Sequence, residues 1–405
     1  MYWDDEYFRI RLMKKRHLSD HSIWDENMVD KDLERFDRLF QRFSGTGIDY
    51  IFGYGETDRG QETYIRYLSG TLIDYSLIVV DVKREELFGI VNVMEGERAH
   101  KYSWLDKIYI YGGSLEGDYI NLKSRNLVDS IKEVIDVESK IGIAFNSVSA
   151  SFIKTLESIF SKDNVVDISS ELMDLRLRKT RYEVERIKKA AEIVDYGIYE
   201  SSKKVVEGIT EKELALHGMC EMYRAGADKV YDYLIVASGD ASANPHWRAS
   251  ENTIKVGDPI VFDYVAAYNG YYGDETRTVF FKRIYKGELR KIYETVLDAQ
   301  VSAIDIIEPG VKASDVDKKA RSIIESAGYG KYFIHSTGHG VGLEIHEKPR
   351  LSKNDDTVLD EGFVITVEPG IYIPGLGGVR IEDMVLVTSD GHRVLTRLNK
   401  ALTIL

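Results

Sequence analysis

At 405 residues, with 43% hydrophobic and 30% charged side chains, the chain can bury a large core and divide into two or three domains. A formal net charge of −13 argues against nucleic acid as a main partner, because phosphate binding requires a basic face. No stretch approaches the roughly 18 apolar residues of a membrane span, and the N-terminal MYWDDEYFRIRLMKKRHL holds no apolar run of signal-peptide type. The expectation is a cytoplasmic protein with no membrane partner. The single cysteine, Cys220, excludes an internal disulfide and fits a reducing compartment. It shares a predicted helix with Leu216 and Tyr223 and reads as a core position rather than a nucleophile.

Residues 1–45 read as largely helical, with Leu33, Phe36, Leu39, Phe40 and Phe43 at helical spacing. Strands are predicted at 48–54, 75–82, 87–93, 107–111 and 141–145, and helices at about 121–135 and 149–161. Arg84-Glu85-Glu86 marks a hairpin turn between the second and third strands. This alternation predicts an α/β domain over residues 1–174. His17, His21 and His100 are scattered among charges and read as surface.

A second domain is expected over residues 175–405. It opens on Arg176, Arg178, Lys179 and Arg181 and then a long helix. Thr180 and Glu183 form a capping box, and Val184, Ile187, Ala191, Val194 and Ile198 give an apolar stripe. Thr210 and Glu213 open the next helix in the same way, with Leu214, His217 and Tyr223 on it; His217 reads as a packed helix residue. The pattern returns with Leu289, Ile292, Val296, Ala299 and Ala303, then with Val316, Ala320, Ile323 and Ala327, stopped by Gly328. Strands follow each pair, at 232–237 and 260–281, then at 363–367 and 381–387. A weak internal duplication follows, with a ligand site expected where the two α+β halves meet.

The chemistry begins in the first half. Ile260-Val261-Phe262 and Thr278-Val279-Phe280-Phe281 are apolar runs joined through Asn269-Gly270, a strong hairpin signal. Asp263 and Asp274 stand one on each arm. A carboxylate against an apolar run is costly unless paired, and two facing carboxylates repel, so a bound cation is the natural remedy. By itself the hairpin fits two water-exposed aspartates equally well. The second half decides. Glycines flank His339, an apolar strand ends on Glu368, and Glu382 lies inside the alternation of another. Four carboxylates and one imidazole suit a pair of divalent cations, Mn²⁺ first and Co²⁺ or Zn²⁺ as alternatives, rather than a thiolate-type zinc site. Such a pair can hold a bridging hydroxide and polarise a carbonyl. Five unrelated buried groups would instead leave several charges unpaired.

The order Asp263…Asp274-Glu275-Thr276-Arg277-Thr278, Gly338-His339-Gly340-Val341-Gly342-Leu343, Val367-Glu368-Pro369-Gly370-Ile371-Tyr372 and Gly378-Val379-Arg380-Ile381-Glu382-Asp383 resembles the dinuclear metallopeptidases of the pita-bread fold. That family includes methionine aminopeptidases, aminopeptidases P, Xaa-Pro dipeptidases and creatinases. The resemblance covers roughly residues 176–405. Tyr64-Ile65-Arg66-Tyr67-Leu68-Ser69-Gly70 is similar to the creatinase/prolidase N-terminal domain. The chain departs from the common pattern at Val265, where a glycine is usual, and at Gly273, where a serine is usual.

The resemblance implies a creatinase-like α/β domain followed by a pita-bread α+β domain with internal pseudo-twofold duplication. It implies that Asp263 chelates one metal, that Asp274 and Glu382 bridge two, and that His339 and Glu368 complete the second, with Glu368 as general base. His246 and His346 match substrate- or transition-state-contacting histidines, where an imidazole can donate to an oxyanion. The implied activity is metal-dependent hydrolysis of the peptide bond before proline. Xaa-Pro dipeptides are favoured because Arg350 can pair with a free carboxylate. The alternatives are an aminopeptidase P acting on longer peptides and an inactive binding protein of the same fold. The substrate is then a small peptide with proline at P1′, and a homodimer is implied.

Overall fold

The computed structural model describes residues 31–55 and 62–405; most of the expected N-terminal helical stretch lies outside them. The chain divides into one compact unit ending at Arg176 and another running from Leu177 to Leu405.

In the first unit the helical spacing near the N-terminus becomes α1 (Leu33–Phe43), capped by the Asp32 side chain and burying Phe36, Leu39 and Phe43. Then follow β1 (Tyr50–Tyr54), α2 (Thr63–Ser69), β2 (Leu77–Asp81), β3 (Glu86–Asn92), α3 (Gly96–Tyr102), β4 (Lys107–Tyr111), β5 (Ile120–Asn121), α4 (Leu127–Val134), β6 (Ile141–Ile143), α5 (Ala150–Phe160), β7 (Val165–Asp167) and α6 (Ser169–Leu177). One sheet runs β5-β4-β3-β2-β1-β6-β7. Its middle is antiparallel, β1 to β2 to β3, and both flanks are parallel. All five residues of β2 are buried, as its unbroken apolar run requires of a strand covered on both faces. The helix expected over 121–135 begins only at Leu127, because Asn126 Oδ1 accepts from the Asp129 N–H at 2.9 Å and sets the start there.

The second unit holds two helix pairs, each followed by antiparallel strands. The first half is α7 (Arg181–Ser202), α8 (Glu211–Arg224), β8 (Lys229–Val230), β9 (Ile235–Ser238), β10 (Pro259–Tyr268) and β11 (Tyr271–Phe280). The second is α9 (Gly287–Asp305), α10 (Ala313–Ser326), β12 (Gly338–Gly340), β13 (Glu347–Leu351), β14 (Val364–Val367), β15 (Gly370–Ile373), β16 (Gly377–Arg380), β17 (Asp383–Thr388), β18 (Gly391–Val394) and β19 (Thr403–Ile404). One sheet runs β19-β11-β10-β8 with β9 also on β10; the other runs β13-β12-β14-β17-β18. Both capping boxes read at Thr180 and Thr210 form. Each half has its own core. Val194, Ile198 and Leu214 pack with Phe262 and Tyr264, and Val296, Ala299 and Ala303 pack with Ile365, Val367 and Val385.

The core reading of Cys220 is corrected. Leu216 is 58% exposed, Tyr223 49%, and Cys220 is exposed as well. The inward face of α8 is Leu214, Gly218 and Met222. A Cβ on Gly218 would lie 2.3 Å from the Tyr264 ring, so the core face carries a glycine where an apolar stripe would be sought. Gly273, a departure from the usual serine, has a similar cause. A Cβ there would lie 2.5 Å from the Ala190 backbone, so α7 sits directly on β11.

Candidate metal centre

Asn269 and Gly270 take positive φ of 50° and 81° and close a two-residue turn between Tyr268 and Tyr271. That register pairs Asp263 with Thr276 and Val265 with Asp274. The two aspartates are therefore diagonal neighbours on one face of the hairpin. Neither is exposed, and Asp274 is buried.

The second half brings its residues to the same place. Glu382 lies between β16 and β17 rather than inside a strand, and its N–H donates to the Thr276 carbonyl at 3.1 Å. Ligand atoms of Asp274, His339 and Glu382 all lie within 4.8 Å of one another. His339 Nε2 is 3.3 Å from Glu368 Oε1 and 3.8 Å from Asp274 Oδ2. Its Nδ1 faces the Gly340 carbonyl at 3.0 Å, which leaves Nε2 for the centre. Asp263 points to Arg380, whose Nη2 donates to Oδ2. Three of the five residues thus form the tight group, Glu368 joins through His339, and Asp263 is held beside them by a guanidinium.

The electrostatics express the crowding. Burial raises Asp274 and Glu382 well above the usual carboxylate range, and the neighbouring carboxylates raise both further. Burial raises Asp263 as well, against the pull of Arg380. Glu368 goes the other way: burial would raise it, but the hydrogen bond and charge of His339 bring it down to about 2. His339, which burial alone would lower, is raised to about 9 by Glu368 and Asp274. One imidazole proton answers several carboxylates here, and divalent cations would answer them with more charge at the same point. The donor set therefore fits hard divalent cations.

Around this cluster stand the residues expected to meet substrate. Arg350 pairs directly with His339 across β12 and β13, and its exposed side chain donates from Nε to Ser336 Oγ at 3.2 Å. The His346 ring packs edge-on against His339 with centroids 4.4 Å apart. Burial lowers His346, and the charges of His339, Arg350 and His246 lower it further, so it is held neutral. His246 follows a short 3₁₀ turn, Gly239–Ala243, and is exposed.

Residues 185–389 match Metallopeptidase family M24. The chain belongs to that family. Residues 35–178 match the Creatinase/Prolidase N-terminal domain, so the two units are a creatinase-type domain and a pita-bread M24 domain. The chain is 38% identical over 370 residues to the Xaa-Pro dipeptidase of Pyrococcus furiosus, covering 91% of this chain and 99% of that one. The prolidase structure from Pyrococcus horikoshii superposes with a TM-score of 0.79 at 34% identity, covering 91% of this chain and 99% of that one. The X-Pro aminopeptidase structure from Thermotoga maritima gives 0.80 at 32% identity, with coverage of 91% and 99%.

This M24 site also holds residues that motif reading left without a role. Arg380 donates from Nη1 to Tyr372 Oη at 2.8 Å and from Nε to Thr276 Oγ1 at 3.1 Å, and Thr276 donates to Glu382 Oε2 at 2.8 Å. Tyr372, which burial pushes up to about 12, continues to His335 Nε2 at 2.9 Å. Lys179 pairs with Glu347, the residue after His346 in the chain, at 2.8 Å in a nearly buried bridge. Arg380, Tyr372, Thr276 and Glu382 lie within the quoted motifs and Lys179 at the domain boundary, whereas His335 and Glu347 lie outside both. For Thr276, Tyr372 and Arg380 the signal in the sequence was polarity inside apolar strands; His335 and Lys179, outside strands, carried none.

Proposed function

We propose that this metallopeptidase is a Xaa-Pro dipeptidase that hydrolyses the peptide bond preceding proline. The observation that carries the reading is the pairing of Arg350 with His339, which sets a guanidinium-bearing side chain on the strand next to the carboxylate–imidazole cluster. The likeness to the Pyrococcus furiosus Xaa-Pro dipeptidase supports it over nearly the whole chain. Asp263, Asp274, His339, Glu368 and Glu382 would hold two divalent cations, Mn²⁺ by the hardness of the donors, with Co²⁺ or Zn²⁺ as alternatives. Bound there, the cations supply Lewis acidity toward the scissile carbonyl.

The chain's own groups do the rest. Glu368 takes the proton of the attacking water. His346, held neutral, and His246 donate hydrogen bonds to the oxyanion as it develops. Arg350 binds the terminal carboxylate of proline as a charge-assisted pair and so limits the substrate to two residues. Proline has no N–H and fixes φ, so the residue after the cleaved bond is recognised by shape rather than by a backbone donor. A homodimer in the reducing cytoplasm completes the reading, supported by family membership and by the single cysteine.

A second reading, an aminopeptidase P acting on longer peptides, is favoured by the equally good superposition on the Thermotoga maritima X-Pro aminopeptidase. Rates on Xaa-Pro and Xaa-Pro-Yaa separate the two. The dipeptidase cleaves the first and fails on the second; efficient cleavage of the longer peptide assigns the aminopeptidase.

A further inference from the structure

Asp274 and Glu382 each stand beside a second acid that faces the opposite way. On β11 the strand alternation turns Asp274 and Thr276 toward the centre and Glu275 and Arg277 away from it. Next to Glu382, Asp383 likewise faces away. The two backward acids meet on one guanidinium: Arg277 Nη2 is 2.8 Å from Glu275 Oε1 and 2.7 Å from Asp383 Oδ1. The same group donates to the backbone of both segments, at the Thr276 carbonyl 3.0 Å away and at the Glu382 carbonyl.

Behind, Arg277 is fixed to a late segment of the chain. Its Nε and Nη2 donate to the Leu398 carbonyl at 3.1 and 2.7 Å. Asp195 of α7 accepts from the Arg397 N–H at 3.0 Å and the Leu398 N–H at 3.1 Å. Lys400 Nζ donates to Asp383 Oδ2 at 2.7 Å and to Gln300 Oε1 at 2.9 Å. Thr396 Oγ1 and Gln300 Nε2 each donate to Asp383 at 2.8 Å. Arg277 and Asp383 are 1% exposed, and Asp195 and Gln300 are fully buried.

We propose that Arg277 is a positioning residue for the metal centre, anchored from behind by the segment 396–400, and that it sets the spacing of Asp274 and Glu382. This rests on reading those two residues as metal ligands. For stability alone, a buried ionic network is a poor choice, since apolar side chains of equal volume often serve as well or better. Orienting ligands is what such a network adds, and losing a partner that orients a ligand typically costs about 10–100-fold in metal affinity.

The test uses the full chain and Mn²⁺ titrated in competition with a metallochromic chelator, beside urea unfolding. Arg277→Met and Lys400→Met should weaken Mn²⁺ binding by about 10–100-fold, with Arg277→Lys intermediate. Thr210→Ala, remote from the network, should lower the urea midpoint and leave Mn²⁺ affinity unchanged. If Arg277→Met does not fold, Lys400→Met and Thr396→Val decide the matter, since each removes one donor at the edge of the network. Folded variants with wild-type Mn²⁺ affinity would overturn the inference. A wild-type chain that binds no Mn²⁺ would overturn the metal centre itself, and the inference with it.

Discussion

The two halves of the M24 domain share an outline and differ in how they are secured. In the first, both helices start on Thr–Glu capping boxes, and the site-facing groups are carboxylates on a regular hairpin. In the second, α9 and α10 start at Lys286 and Lys312 with no side-chain cap, and the groups lie at strand ends and irregular joints. β12 has only three residues and a register shift after His339. A rigid hairpin suits charges that must stay at fixed distance under repulsion. Short irregular strands suit imidazoles and a guanidinium that must meet a substrate.

The largest effect expected from breaking this arrangement is at the shared carboxylates. With Asp274 and Glu382 assigned as bridges, Asp274→Ala and Glu382→Ala should each lose both metal ions and all measurable hydrolysis. Elemental analysis and a dipeptide assay check this, and full metal content in either variant removes the two-metal assignment. Dialysis of wild type against chelator should give the same loss, reversed by Mn²⁺ or Co²⁺.

Next comes the substrate side of the second half. Losing a hydrogen bond to a charged group costs about 1.5–3 kcal/mol, so Arg350→Ala should lower kcat/KM on Xaa-Pro by roughly 10- to 150-fold. The loss should be much smaller on a C-terminally amidated analogue. Equal losses on the two substrates would mean that Arg350 does not read the carboxylate.

Smaller effects test the scaffold. Gly273→Ser should destabilise by about 1–3 kcal/mol, because the new Cβ would meet the Ala190 backbone at 2.5 Å. Urea unfolding measures it, and a neutral result would mean that α7 can shift off β11 freely. The smallest pair compares the helix starts. Thr210→Ala should cost about 1 kcal/mol, whereas Lys312→Ser, at an N-cap already in the extended region, should gain about 0.5–1 kcal/mol. Thermal midpoints moving in opposite directions would bear out the difference between the halves.

What could be read in the sequence follows the same division. The capping boxes and the Asn269-Gly270 turn are local devices, set by residues a few positions apart, and they form as written. The inward face of α8 was hidden because Gly218 contributes no apolar side chain to the stripe. Arg380, Tyr372 and His335 become one chain of hydrogen bonds only when the strand ends converge. Lys179 finds Glu347 across 168 residues, a separation that no spacing rule reaches. Those partnerships are tertiary, and composition and periodicity carry no trace of them.

The tight turn that joins the aspartate-bearing arms also bears on how this protein ages. Asn-Gly is the dipeptide most prone to spontaneous loss of ammonia, through attack of the glycine nitrogen on the asparagine side chain. Here the Gly270 N–H donates to Asp228 Oδ2 at 3.1 Å, and the turn holds Asn269 at a φ of 50°. The attacking nitrogen is engaged and its backbone fixed, so the side-chain amide of Asn269 should outlast that of the same dipeptide in an unfolded chain. The hairpin thus guards its own covalent integrity while holding its two carboxylates in place.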